Sequence, residues 1–193
     1  MQNNLTLASL TGSRLCHDLI SPIGAIGNGL ELLKWAGTPE TPELALIKES
    51  VESAQARISF FRIAFGPSPA DQTRSGQTLL KVMKNYVATT RNTLSWTPLD
   101  EIDAQHAKLT FLLVMCLEHS LLHGGQIEVS DDGRHITGRS KTLSTVNSVW
   151  AILEGAAPDK AAEVQFALAA NHAASIDAAI SVEKQDDHIK ISF

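Results

Sequence analysis

Cysteine is scarce: Cys16 and Cys116 are the two in 193 residues. They sit in different helical patterns, which argues against a disulfide and leaves zinc without ligands at suitable spacing. No apolar run approaches the ~20 residues of a membrane span, and the opening MQNN lacks the basic-then-apolar plan of a signal peptide. A cytoplasmic protein with no membrane partner is therefore expected. Basic residues are in deficit, 16 Lys+Arg against 21 Asp+Glu, so the footprint of a general nucleic-acid binder is missing. No Gly-x-x-x-x-Gly-Lys loop is present to cradle a triphosphate. Internal repeats and low-complexity tracts are lacking too. What remains, at 44% hydrophobic content, is enough for one sizeable domain or two small ones.

The informative stretch is Ser13 to Leu33, SRLCHDLISPIGAIGNGLELL. Leu15, Leu19, Ile23, Ile26, Leu30 and Leu33 follow helical steps and predict a buried face of a long helix. A second stripe, Arg14, His17, Ser21, Gly24 and Asn28, has the same spacing but carries polar or small side chains around one titratable ring, and is expected to stay open. Pro22 cannot donate the helical hydrogen bond to the carbonyl of Asp18, which predicts a bend beside the histidine. A neutral imidazole offers a nucleophilic nitrogen, and a carboxylate on its other nitrogen fixes the tautomer and favours developing positive charge. Asp18 is the nearest carboxylate, although sequence neighbours do not face each other squarely on a helix, so the bend or a rotamer change must bring it within reach. Ser21, one turn on, could donate to a phosphoryl oxygen, and Arg14, one turn back, could offset its charge. This constellation points to phosphoryl transfer through His17.

His17-Asp18-Leu19-Ile20-Ser21-Pro22 resembles the H-box of sensor histidine kinases: His, an acidic residue, then Pro at the fifth following position. The longer string HDLISPIGAIGNGLELL resembles the ChpT-type histidine phosphotransferases of alphaproteobacteria, closely over the helical hairpin and more loosely, through length and element order, over the rest. The resemblance implies that His17 is the phosphorylated residue.

After breaks at Gly37, Pro39 and Pro42, Thr41-Pro42-Glu43 reads as an N-cap, a first-turn proline and a first-turn acid. Leu44, Ile47, Val51, Ala54, Ile58, Phe61 and Phe65 then step three and four alternately, predicting a second helix antiparallel to the first. Two helices bury one seam between them. Ile20, Ile26 and Phe60 lie off it, so the hairpin is expected to pair with a second copy as a dimeric four-helix bundle. Gly24, Gly27 and Gly29 weaken the first helix but allow another surface to approach, either the neighbouring helix or a docked partner.

Gly66-Pro67-Ser68-Pro69, continuing to Gly76, carries no periodicity and reads as a boundary between residues 1–68 and 74–193. Beyond it, helices are predicted over Gln77–Arg91, Ala104–His123, Val146–Leu153 and Lys160–Ala174, with a short strand at Leu94–Trp96. Two hairpins follow, Gln126–Val129 with His135–Lys141 around Asp132-Gly133, and Ile180–Glu183 with His188–Phe193. The fold class is thus α+β: a helical hairpin followed by a small α/β sandwich resembling a degenerate histidine-kinase ATPase domain.

Such an ATPase domain needs an Asn on its long helix to hold magnesium and an Asp-x-Gly-x-Gly segment for the adenine. This chain shows Glu118 and His119 at the first, while Asp132-Gly133 lacks the second glycine and suffices as a tight turn. No cofactor is expected to be bound. His119 and His123 are four apart but lack the Glu of the zinc-protease arrangement, and His106, His135, His172 and His188 show no partners.

The expectation is a homodimeric carrier that takes a phosphoryl group from the receiver domain of a hybrid histidine kinase and passes it to response regulators, magnesium coming from the receiver. A receiver would dock on Arg14, Ser21, Gly24 and Asn28, helped by Ile58 and Arg62 on the second helix. An ATP-dependent histidine kinase and a non-catalytic helical scaffold are the alternatives.

Overall fold

The computed structural model describes residues 2–144 and 147–193, with side chains from residue 6 onward. Helix α1, Gln2–Trp35, begins earlier than the periodicity suggests and runs unbroken through Pro22. Helix α2, Pro42–Ala64, starts where the cap residues place it: the Thr41 hydroxyl accepts from the Leu44 amide at 3.3 Å. The two pack as an antiparallel hairpin. Small residues set their separation, since a Cβ on Gly12 would stand 2.9 Å from Phe65 Cβ, and one on Gly27 would stand 3.0 Å from Gln55 Nε2.

Two expectations for the hairpin need correction. Of the face expected as core, Leu15, Leu19 and Ile26 are 58%, 50% and 50% exposed, and Leu33 is exposed as well. A pair of helices covers only one stripe, and apart from α2 the first helix meets its own chain mainly where its N-terminal half approaches the helix over residues 164–175, so most of that face stays open; the deeply buried residue on this stretch is Cys16. Phe60, expected to await a second copy together with Ile20 and Ile26, is instead fully buried in its own chain. Its ring stacks on Tyr86 with centroids 3.8 Å apart and lies 4.7 Å from Phe111. The last turns of α2 run past the second half of the molecule, which buries Phe60, Ile63 and Ala64, and Ile58 is buried too.

That second half opens with two strands the sequence pattern does not reveal. Strand β1, Thr73–Ser75, lies in the stretch read as a structureless boundary and pairs antiparallel with β3, Glu101–Asp103. Helix α3, Gly76–Val87, and strand β2, Thr93–Trp96, lie between them. Helix α4, Ala104–Glu118, is capped by Asp103, whose carboxylate accepts from the amides of Gln105 and His106. It stops short of the expected His123 because the amides of Ser120, Leu121 and Gly124 each turn back to a carbonyl three residues earlier.

The two expected hairpins form: β4, Gln126–Val129, with β5, His135–Arg139, and β6, Ser181–Lys184, with β7, His188–Ser192. Helix α5, Asn147–Trp150, tightens into a 3-10 turn at Ala151–Glu154; Val146, the expected start of that helix, lies outside the described residues. Helix α6, Val164–Ser175, packs against α4. The five-stranded sheet has the order β2-β4-β5-β7-β6, antiparallel except for the parallel pair β2 and β4. Ile127, Ile136, Ile189 and Ile191 alternate onto the buried face. Gly138 is required where α4 presses on β5, since a Cβ there would stand 2.7 Å from the Leu117 side chain. The fold is α+β, with N-terminal helices and a C-terminal sheet.

Candidate functional site

His17 projects from the first half of α1 with its side chain 86% accessible. Its Nδ1 lies 3.3 Å from Asp18 Oδ1, so adjacent residues do come within reach, although α1 is continuous. The other carboxylate oxygen of Asp18, Oδ2, accepts from Arg14 Nε at 2.6 Å. Arg14 first, and then His17, hold the Asp18 carboxyl below the usual carboxylate range. An ionised carboxylate can only accept, so for this contact to be a hydrogen bond Nδ1 carries the ring proton, and in the neutral ring the lone pair is then on Nε2, on a side chain largely open to solvent.

The remaining residues of the expected site are distributed unevenly. Ser21 and Asn28 are exposed along the same helix, and nothing lies within 4 Å of a Cβ built on Gly24, which leaves bare backbone two turns from His17. Arg62 on α2 is exposed and close enough to Cys16 to oppose the upward push that burial gives its thiol. Ile58 corrects the expected docking set: at 7% exposure it is packed away and has almost no surface for a visitor. The bond between Arg14 and Asp18 was missed, although their spacing of four on one helix was the signal for it.

Where an ATP-binding domain would place its metal-holding Asn, Glu118 accepts hydrogen bonds from the Tyr86 hydroxyl at 2.6 Å and Asn92 Nδ2 at 3.2 Å. Burial raises its carboxyl above the ordinary range. The group ties α3 to α4. Asp132 caps the turn between β4 and β5, accepting from Ser130 Oγ and the Arg134 amide, with Gly133 at φ 78°. Among the other histidines, the ring of His119 meets the edge of Phe166, and His172 Nε2 lies 2.9 Å from the Gln105 carbonyl oxygen. His106 stands 3.5 Å from Asp103, and His188 stands 2.7 Å from Asp187.

A histidine set between an aspartate and open solvent on a hairpin helix, followed by this α+β half, is the layout of one class of protein, and the chain belongs to it: residues 76–188 match the family model described as the histidine phosphotransferase C-terminal domain. Within that class it is similar to protein phosphotransferase ChpT of Brucella abortus (strain 2308), 35% identical over 166 residues, 81% of this chain and 78% of that one. It is also similar to a solved bacterial phosphotransferase, with a TM-score of 0.71 at 26% identity, covering 100% of this chain and 96% of the other.

Proposed function

We propose that this chain carries a phosphoryl group on His17 between the aspartates of receiver domains in a phosphorelay. The carrying observation is the solvent-facing Nε2 of a ring whose Nδ1 is held by Asp18. The Nε2 lone pair attacks the phosphorus of a receiver's aspartyl phosphate. The N–P bond forms as the P–O bond breaks, and the receiver's carboxylate leaves with the electron pair. Nδ1 keeps its proton throughout, so the ring becomes cationic beside the anionic Asp18. Delivery to the next receiver is the reverse step, and Asp18 stabilises the same cation on both passes. Magnesium held in the receiver's acidic pocket spreads the phosphoryl charge, and this chain binds no cofactor of its own.

Donor and acceptor are read as the receiver of a hybrid histidine kinase and those of response regulators, meeting α1 along Ser21, Gly24 and Asn28 with Arg62 at the edge. Residues 1–68 supply the chemistry and the pairing of two copies. The exposed apolar stripe of Leu15, Leu19 and Ile26 supports a four-helix bundle formed by two chains, because such a stripe is costly to leave in water. No helix among the described residues is long and apolar enough to cross a membrane.

Incubation with a phosphorylated receiver tests the reading. Wild type should acquire acid-labile label, and His17→Ala none. Asp18→Asn should slow labelling by on the order of 10²-fold, the usual loss when a stabiliser of developing charge is removed. Label that persists in His17→Ala would refute the assignment, and autophosphorylation from ATP would favour a kinase.

A further inference from the structure

We propose that Arg14 is a positioning residue for phosphoryl transfer: it clamps the far oxygen of Asp18 so that the near oxygen stays on His17 Nδ1. The inference rests on His17 being the phosphoryl carrier.

The geometry shares out the carboxylate. Oδ1 faces His17 at 3.3 Å and Oδ2 faces Arg14 at 2.6 Å, one partner for each oxygen. The contact to the ring is long for a hydrogen bond, and the Asp18 side chain is half exposed. With that contact alone, the carboxylate would rotate toward water. The short bond on the opposite oxygen removes this freedom. Helical side chains lean toward the N-terminus, so Asp18 naturally points down the helix at Arg14, one turn back, and reaches sideways to its sequence neighbour His17. The guanidinium therefore sets the plane from which Asp18 meets the imidazole.

Charge acts in the same direction. The cation beside Oδ2 favours the ionised form of Asp18 further, and an ionised carboxylate can only accept from Nδ1–H. In the free protein this is an exposed pair on a helix surface, which contributes little to folding. When a receiver covers His17, water leaves and both contacts strengthen, so the effect of Arg14 belongs to the transfer step in the complex.

The test compares initial rates of His17 labelling across a range of phosphorylated-receiver concentrations for the full-length wild type, Arg14→Gln, Arg14→Lys, Asp18→Asn and the double variant Arg14→Gln/Asp18→Asn. Arg14→Gln should lower kcat about tenfold with KM changed less than about twofold. Arg14→Lys should recover part of the loss through a single bond. The double variant should be no slower than Asp18→Asn, because the arginine acts only through that carboxylate. Ring ¹⁵N shifts of His17 should show the Nδ1–H tautomer losing its dominance in Arg14→Gln. A raised KM with unchanged kcat, multiplying effects in the double variant, a faster Arg14→Gln enzyme or unaltered ring shifts would each overturn the proposal. Failure of the wild type to label would instead overturn the carrier reading, which separates the two.

Discussion

Replacing Phe60 by Ala tests whether the end of α2 belongs to the core of its own chain. The ring has no exposed surface, stacks on Tyr86 at 3.8 Å and adjoins Phe111 at 4.7 Å. Lost burial contributes ~1.5–3 kcal/mol. The two ring contacts add about 0.5–1.5 kcal/mol each, and the cavity cannot collapse fully because its walls belong to three different helices. A loss of roughly 3–5 kcal/mol follows, within the range usual for Phe→Ala in a core. At about 2–4 °C per kcal/mol for a chain of this size, Tm should fall by roughly 6–20 °C. Urea and thermal unfolding, followed by circular dichroism at two protein concentrations tenfold apart, measure it. The wild-type-minus-variant difference should be the same at both concentrations, and sedimentation should show the oligomeric state unchanged. If Phe60→Ala is within about 1 kcal/mol of wild type and instead dissociates a dimer, the ring lies in an intersubunit seam and the described packing is wrong.

Two further outcomes follow from particular residues. Leu19→Asp puts a charge on the uncovered stripe of α1, where Leu19 is half exposed, and should shift the sedimentation mass toward that of one chain; an unchanged mass would remove this stripe as the seam of a bundle. Lys108, whose ammonium donates to the Gly66 carbonyl at 2.8 Å, has its pKa lowered by burial to about 8 from 10.5. Below pH 8 it is charged both folded and unfolded, so the burial cost is fully present. Between pH 8 and 10.5 the folded chain releases this proton first, so the contribution of Lys108 to stability rises with pH. Urea midpoints at pH 7.5 and 10 should therefore move in favour of wild type relative to Lys108→Met, by roughly 1 kcal/mol after allowing for partial exposure. A difference that does not change with pH would contradict this placement.

Much of the architecture is legible from local pattern. Cap residues place α2, alternation and Asp-Gly place the β4–β5 hairpin, and the adjacency of His17 and Asp18 marks the site. What escapes notice depends on distant partners. Thr73–Ser75 is only three residues long without apolar alternation, and it becomes a strand because Glu101–Asp103 comes alongside. Spacing shows that Phe60 lies off the helical seam, but not whether its own chain or another covers it. The stripe from Leu15 to Leu33 shows the converse limit: periodicity reveals that a face is apolar and is silent on which molecule buries it. Ile58 belongs to the same seam as the rest of the α2 stripe, whose spacing already implies the burial that takes it out of the docking set.

The burial of Phe60, Ile63 and Ala64 among α3 and α4 fastens the histidine-bearing hairpin to the sheet half by a shared interior rather than a loose tether. Swinging the hairpin away from the sheet half would expose these side chains to water, so the cost of separating the two halves is carried by the core itself.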